Sequence, residues 1–247
     1  MALETQRRAW SASQAEAAQI DVGLRQYMLR VYNYMASGVA LTGIIAFLVA
    51  NTPSIQHVFF QMTPRGIGMT GLGWLAVLAP IGLVMAMSFG INRMRASTAQ
   101  GLFWAYAALM GVSLSTILMA YTGASVARAF FAAAAAFASL SLYGYTTGRD
   151  LNGVGRFMMM GLVGLIVASL INMIWPGPGL TFMISVLGVV IFAGLTAYDT
   201  QKIKNMYWVG DNSEVMTKKA VNGALTLYLD FINLFIMLMR LMGDRRQ

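Results

Sequence analysis

Nine acidic residues occur in this 247-residue chain, and two of them sit in apolar sequence. Asp199 closes a long uncharged run in GLTAYDTQKIK, and Asp230 stands inside LTLYLDFINLF. The other seven, Glu4, Glu16, Asp21, Asp150, Asp211, Glu214 and Asp244, fall in polar arms or loops. An ionised side chain near the bilayer centre costs at least ~2.5 kcal/mol, so it normally faces protein or water and has a partner. Two carboxylates in contact cannot both ionise cheaply, so one proton tends to be shared. Such a pair binds a proton, or releases it and accepts a divalent cation, and hard carboxylate oxygens suit Ca²⁺. Asp199 and Asp230 are therefore the candidates for proton sensing, gating and metal contact. The alternative is that they only satisfy asparagines and backbone in a packed core.

Three further residues belong with Asp230. Asn222, Thr226, Asp230 and Asn233 recur at spacings of four, four and three, which puts them on one helix face. In lipid that stripe has to be covered by protein or water, so Asn222, Thr226 and Asn233 are candidate pore-lining groups. A helix carrying it belongs in the middle of a bundle. Arg93, in FGINRMRAS, is a candidate gating partner because its long side chain can reach inward. Together with Arg95 it also reads as a topology anchor. Other chemistry is poorly represented. There is no cysteine, the single histidine (His57) lies in a loop, and no Gly-Lys nucleotide loop suggests an ATP-driven pump.

The elements that must position these residues follow from composition. The chain is 58% hydrophobic and 11% charged, whereas soluble domains are about a quarter charged. The expected fold class is an all-α integral membrane protein in a lipid bilayer. About 20 apolar residues cross the hydrocarbon core. Seven windows qualify: Val31–Asn51, Thr70–Asn92, Ala99–Tyr121, Val126–Thr146, Phe157–Trp175, Leu180–Tyr198 and Ala220–Met242. WPGPG at 175–179 divides the uncharged run from Phe157 to Tyr198 into two spans. Residues 1–30 read as a polar N-terminal arm rather than a signal peptide, and residues 31–247 as the transmembrane domain. The net charge of +8 is explained by topology rather than by nucleic acid. Twelve Lys and Arg fall on the side of the N-terminal arm and five on the other, so the N-terminus is expected in the cytoplasm. The basic tail MRLMGDRRQ leaves open a re-entrant last segment that returns the C-terminus to the cytoplasm.

Depth brings the acids together. If the sixth helix continues to about Trp208 and the seventh starts near Lys219, Asp199 and Asp230 lie ~14 and ~17 Å above those ends. The carboxyls then meet at nearly one level.

GLTAYDTQKIK, ALTLYLDFINLF, SFGINRM and SLYGYTT together resemble bacterial members of the transmembrane Bax inhibitor motif family. The resemblance covers nearly the whole chain from the first span onward. It implies seven spans with the last helix central, and a pH-sensitive calcium leak in the inner membrane. Asp199 and Asp230 match the family's di-aspartyl sensor, and Arg93 the arginine that hydrogen-bonds it. No cofactor is implied beyond the transported or transiently bound Ca²⁺. Two other classes compete. A non-transporting scaffold would regulate a membrane protease or another channel, with partners the sequence does not name. An intramembrane aspartyl protease would explain Tyr198-Asp199. However, its second aspartate should follow Gly-x-Gly, where this chain has Leu227-Tyr228-Leu229, and no Pro-Ala-Leu occurs downstream. The chain is not expected to be an enzyme.

Overall fold

In a bilayer every backbone N–H and C=O must be satisfied within its own segment, so long apolar runs become helices and the breaks fall at Gly, Pro, Thr and Asn. The computed structural model describes the backbone of residues 2–63, 66–91 and 93–246, and side chains of residues 22–61, 68–91 and 93–246. Arg65, Asn92 and the side chains of the N-terminal arm up to Asp21 lie outside the described residues. The order is α1 (Ala2–Asn51), α2 (Pro53–Phe59), β1 (Phe60–Thr63), β2 (Gly66–Met69) and α3 (Gly71–Gly90). It continues with α4 (Ala96–Ala120), α5 (Gly123–Thr146), α6 (Asn152–Ile174), α7 (Pro178–Asn205) and α8 (Ser213–Met242). All the helices except short α2 contain a segment long and apolar enough to span, which gives seven spans among the described residues. The two strands form a small antiparallel hairpin in the link between the first and second spans, Phe60 opposite Met69.

Local chemistry sets the ends. The Thr70 and Asn212 side chains cap α3 and α8 by accepting from the Gly73 and Val215 N–H groups, at 3.0 and 2.8 Å. At WPGPG the chain leaves α6 after Ile174 and re-enters helix at Pro178, where the missing N–H costs nothing. The Asn172 side chain closes this turn, accepting from Gly177 N at 3.2 Å and donating to Thr181 Oγ1 at 3.0 Å. The first span is longer than expected. Helix α1 runs on through residue 30 without a break, and Tyr27 and Met28 are buried in the core, so the boundary drawn at residue 30 falls inside α1.

The C-terminal helix α8 is central and is the most buried of the spans. It packs against α1, α4, α5 and α7. The other two spans reach it less, because α3 packs mainly on α4, and α6 mainly on α7. These two are outer wings, and α6 buries only Gly155 and Leu165. Close approach is made by small residues, as in membrane helices generally. Gly188 of α7 faces Met237 of α8, Gly223 of α8 faces Ile203 of α7, and Gly144 of α5 abuts the Ala197 backbone.

The C-terminal tail settles how α8 runs. Tyr121 and Arg245 form an antiparallel bridge, Thr122 N donates to Asp244 O, and Arg246 N donates to Ala120 O, both at 2.9 Å. An Arg128–Asp244 ion pair at 2.6 Å reinforces them at the start of α5. At the other end of α5, the Tyr145 carbonyl accepts from Lys204 Nζ near the close of α7. Helix α8 therefore crosses the whole bundle, and the re-entrant alternative falls.

Candidate functional site

Helices α7 and α8 are antiparallel neighbours, and their register brings the two acids level. Lys219 Nζ donates to the Met206 carbonyl at 2.9 Å, and Ile203 meets Gly223 a turn further in. Asp199 faces Asp230 next, and Gly188 meets Met237 at the far end. The expected helix ends were misplaced, since α7 stops at Asn205 and α8 starts at Ser213. The acids still coincide because the first two turns of α8 run past the end of α7. A Lys219–Asp211 ion pair at 2.5 Å holds that overhang to the connecting loop.

The two carboxyl groups face each other across the α7–α8 interface. Asp199 is 8% and Asp230 5% exposed. Asp230 Oδ2 is fully buried with no hydrogen-bond partner in the protein. An oxygen of that kind is available to a proton, a water or a cation. Lys202, one turn on in α7, is the cation whose charge acts on Asp199, and its Nζ stands 5.9 Å from the centre of the Tyr198 ring. Among the described residues no third Asp, Glu, His or Cys joins the pair. Two carboxylates offer at most four oxygens, whereas Ca²⁺ takes about 6–8, so water or neutral oxygens would complete its shell.

The remaining candidates are placed differently. Between Ala220 and Met239 every residue of α8 is buried except Asn222, Thr226, Leu229, Asn233, Ile236 and Leu238. All but Leu238 share one face. The polar stripe is thus the least covered side of the central helix, with Asp230 at its edge toward α7. Thr226 Oγ1 donates to the Asn222 carbonyl at 3.1 Å, and Asn233 Nδ2 to the Leu229 carbonyl at 2.8 Å. Arg93 is not brought to the pair. It is exposed in the turn after α3, and among the described residues it forms no ion pair.

One arrangement escaped the sequence reading. Tyr32 OH, Ser141 Oγ and Thr200 Oγ1 are linked at 2.7 and 3.0 Å, and Thr200 Oγ1 donates to the Thr196 carbonyl at 2.8 Å. Each hydroxyl has one proton, so the chain is directional: Tyr32 donates to Ser141, and Ser141 to Thr200. It ties α1 and α5 to the residue beside Asp199. The signal available was Thr196 and Thr200 flanking Asp199 four residues apart; nothing in sequence pointed to Tyr32 or Ser141. A second tie holds α8: Thr42 Oγ1 donates to the Ala107 carbonyl at 2.8 Å and, its own proton so used, accepts from Tyr228 OH at 2.7 Å.

A seven-span bundle with two acids meeting on its two most buried helices is a polytopic membrane protein with an intramembrane ionisable site. Comparison with known proteins gives the family. The profile described as "Inhibitor of apoptosis-promoting Bax1" matches residues 24–247, and the chain belongs to this, the Bax inhibitor family. It is 49% identical over 226 residues to the Rickettsia prowazekii protein RP147, covering 92% of each chain. It is 42% identical over 226 residues to the Escherichia coli K12 inner membrane protein YbhL, covering 91% of this chain and 94% of that one. A Caulobacter vibrioides protein is also 42% identical, over 230 residues. The family match and the name of YbhL agree with a membrane protein.

Proposed function

We propose that the chain is a pH-sensitive, passive calcium leak of the bacterial inner membrane, with its N-terminus in the cytoplasm. The observation that carries this reading is the meeting of the Asp199 and Asp230 carboxyls, at least one oxygen unpaired, inside an apolar bundle. Protonated, the pair is neutral and stable in low dielectric. Deprotonated, it is a transient site for a divalent cation, too poor in ligands to trap one. Asn222, Thr226 and Asn233 would line the path on the open face of α8. The inner-membrane assignment is supported by the name of YbhL, and the orientation by the lysine and arginine distribution.

The test is calcium entry into liposomes holding the pure full-length protein, read with an enclosed dye at several pH values. Flux that changes with pH is expected. A correctly inserted protein that passes no calcium would instead be a scaffold, and cleavage of a co-reconstituted peptide would indicate a protease. Arg93 is assigned a latch role in a second state, since a buried negative charge is best offset by a nearby cation. Its side chain is exposed and forms no ion pair among the described residues, so latching requires it to turn inward. Arg93→Ala should then shift the pH profile of flux, and an unchanged profile would make it a topology anchor.

A further inference from the structure

Helices α1 and α5 flank α8 on the same side but are not a packed pair. Three clefts, of 430, 580 and 540 Å³, follow one another along the seam between them. The first two share Val39, Gly43, Phe130 and Phe231, and the second and third share Tyr32 and Phe137, so they form one groove. Over the first two clefts its floor is α8, through buried Phe231, Ile232 and Phe235. The facing walls are small: Ala36, Ala40 and Gly43 on α1, and Ala127, Ala134 and Ala138 on α5. Faces like these usually draw helices together. Here they stay apart, and a Cβ added at Gly43 would meet nothing within 4 Å.

We propose that this seam is a binding groove for an anionic phospholipid, with its acyl chain lying against Phe231 and Phe235 and its phosphate at Arg246. Charge selects that occupant, and the length of the groove admits it. From Arg25, which lines one mouth, to Asn51 at the other, the groove follows α1 for ~39 Å, about the thickness of a bilayer with its headgroup layers. Arg246 lines the Asn51 mouth, held there by its N–H bond to the Ala120 carbonyl at 2.9 Å. Neighbouring Arg128 is committed to Asp244, whereas Arg246 forms no ion pair among the described residues. No acidic side chain lines the groove. The polar groups over its depth are already hydrogen-bonded, Tyr32 to Ser141, and Thr42 to Ala107 and Tyr228, which leaves an alkyl surface. A guanidinium above an alkyl groove recognises a phosphate ester carrying an acyl chain.

The experiment is native mass spectrometry of the full-length protein, titrated with phosphatidylglycerol or with phosphatidylcholine of the same chains. Wild type should retain phosphatidylglycerol about tenfold more strongly, the equivalent of one charge-assisted hydrogen bond. Arg246→Gln should abolish that preference while leaving the melting temperature unchanged. Gly43→Phe, whose side chain would fill the groove, should prevent retention of both lipids. Equal retention of the two lipids by wild type would overturn the proposal. So would an Arg246→Gln protein that keeps the preference, or a folded Gly43→Phe protein that holds phosphatidylglycerol as wild type does. Should Gly43→Phe fail to fold, the headgroup comparison and Arg246→Gln decide alone.

Discussion

Replacing both Asp199 and Asp230 by asparagine is expected to make calcium flux through the protein independent of pH. The two side chains are 8% and 5% exposed and meet across the α7–α8 interface, so the charge they hold is felt mainly by each other and by Lys202. A titrating site transmits at most about 1.4 kcal/mol, a factor of ten, per pH unit. That slope should disappear in the double variant and be reduced in each single one. Asparagine conserves volume and carries no charge, and removing a buried like-charge pair relieves repulsion. The variants should therefore insert, fold and melt no lower than wild type, which keeps the flux measurement interpretable. A double variant that leaks calcium with the wild-type pH profile would return both aspartates to a structural role.

Gly144→Ala should destabilise the bundle, although the same exchange elsewhere should do the reverse. Gly144 lies where α5 crosses α7, and a Cβ there would collide with the Ala197 carbonyl, three residues from Thr200 on the same helix. Backbone cannot rotate aside as a flexible side chain can, so the helices must separate. Overpacking of this kind costs about 1–3 kcal/mol. Separation would also stretch the Ser141–Thr200 bond, now 3.0 Å, and with it the tie from Tyr32 to the turn carrying Asp199. Gly101 in α4 supplies the contrast, because a Cβ there meets nothing within 4 Å and alanine is up to ~1 kcal/mol the better helix former. Thermal unfolding in one detergent, followed by circular dichroism, should place Gly144→Ala below wild type and Gly101→Ala at or above it. A Gly144→Ala protein that melts with wild type would show that α5 and α7 have slack at their crossing.

How far sequence reaches is set by what the bilayer imposes on a single segment. The seven spans, the break at WPGPG and the isolation of Asp199 and Asp230 could all be read from the chain alone, because burying an unpaired backbone group or a charge in lipid is costly wherever the segment sits. The polar stripe of α8 could be read for the same reason. Helix ends in the interfacial region obey no such rule. Hence α1 reaches its core from Tyr27, and α8 begins at Ser213 below the end of α7.

Lateral arrangement was the part that only the tertiary structure decided. Lipid and protein interior are equally apolar, so hydropathy cannot say which face of a span meets a neighbour; close packing at small residues and interhelical hydrogen bonds say it instead. Gly144 against Ala197 and Gly188 against Met237 fix α5, α7 and α8, while α3 and α6 are left as wings. The opposed alanines of α1 and α5 would have predicted a packed pair, yet the helices stand apart over the aromatic floor of α8. Arg93 was matched to the acids by resemblance; its side chain is exposed in the turn after α3 and forms no ion pair among the described residues. Sequence thus determined which residues are too costly to leave in lipid, and the packing of small residues decided what each of them meets.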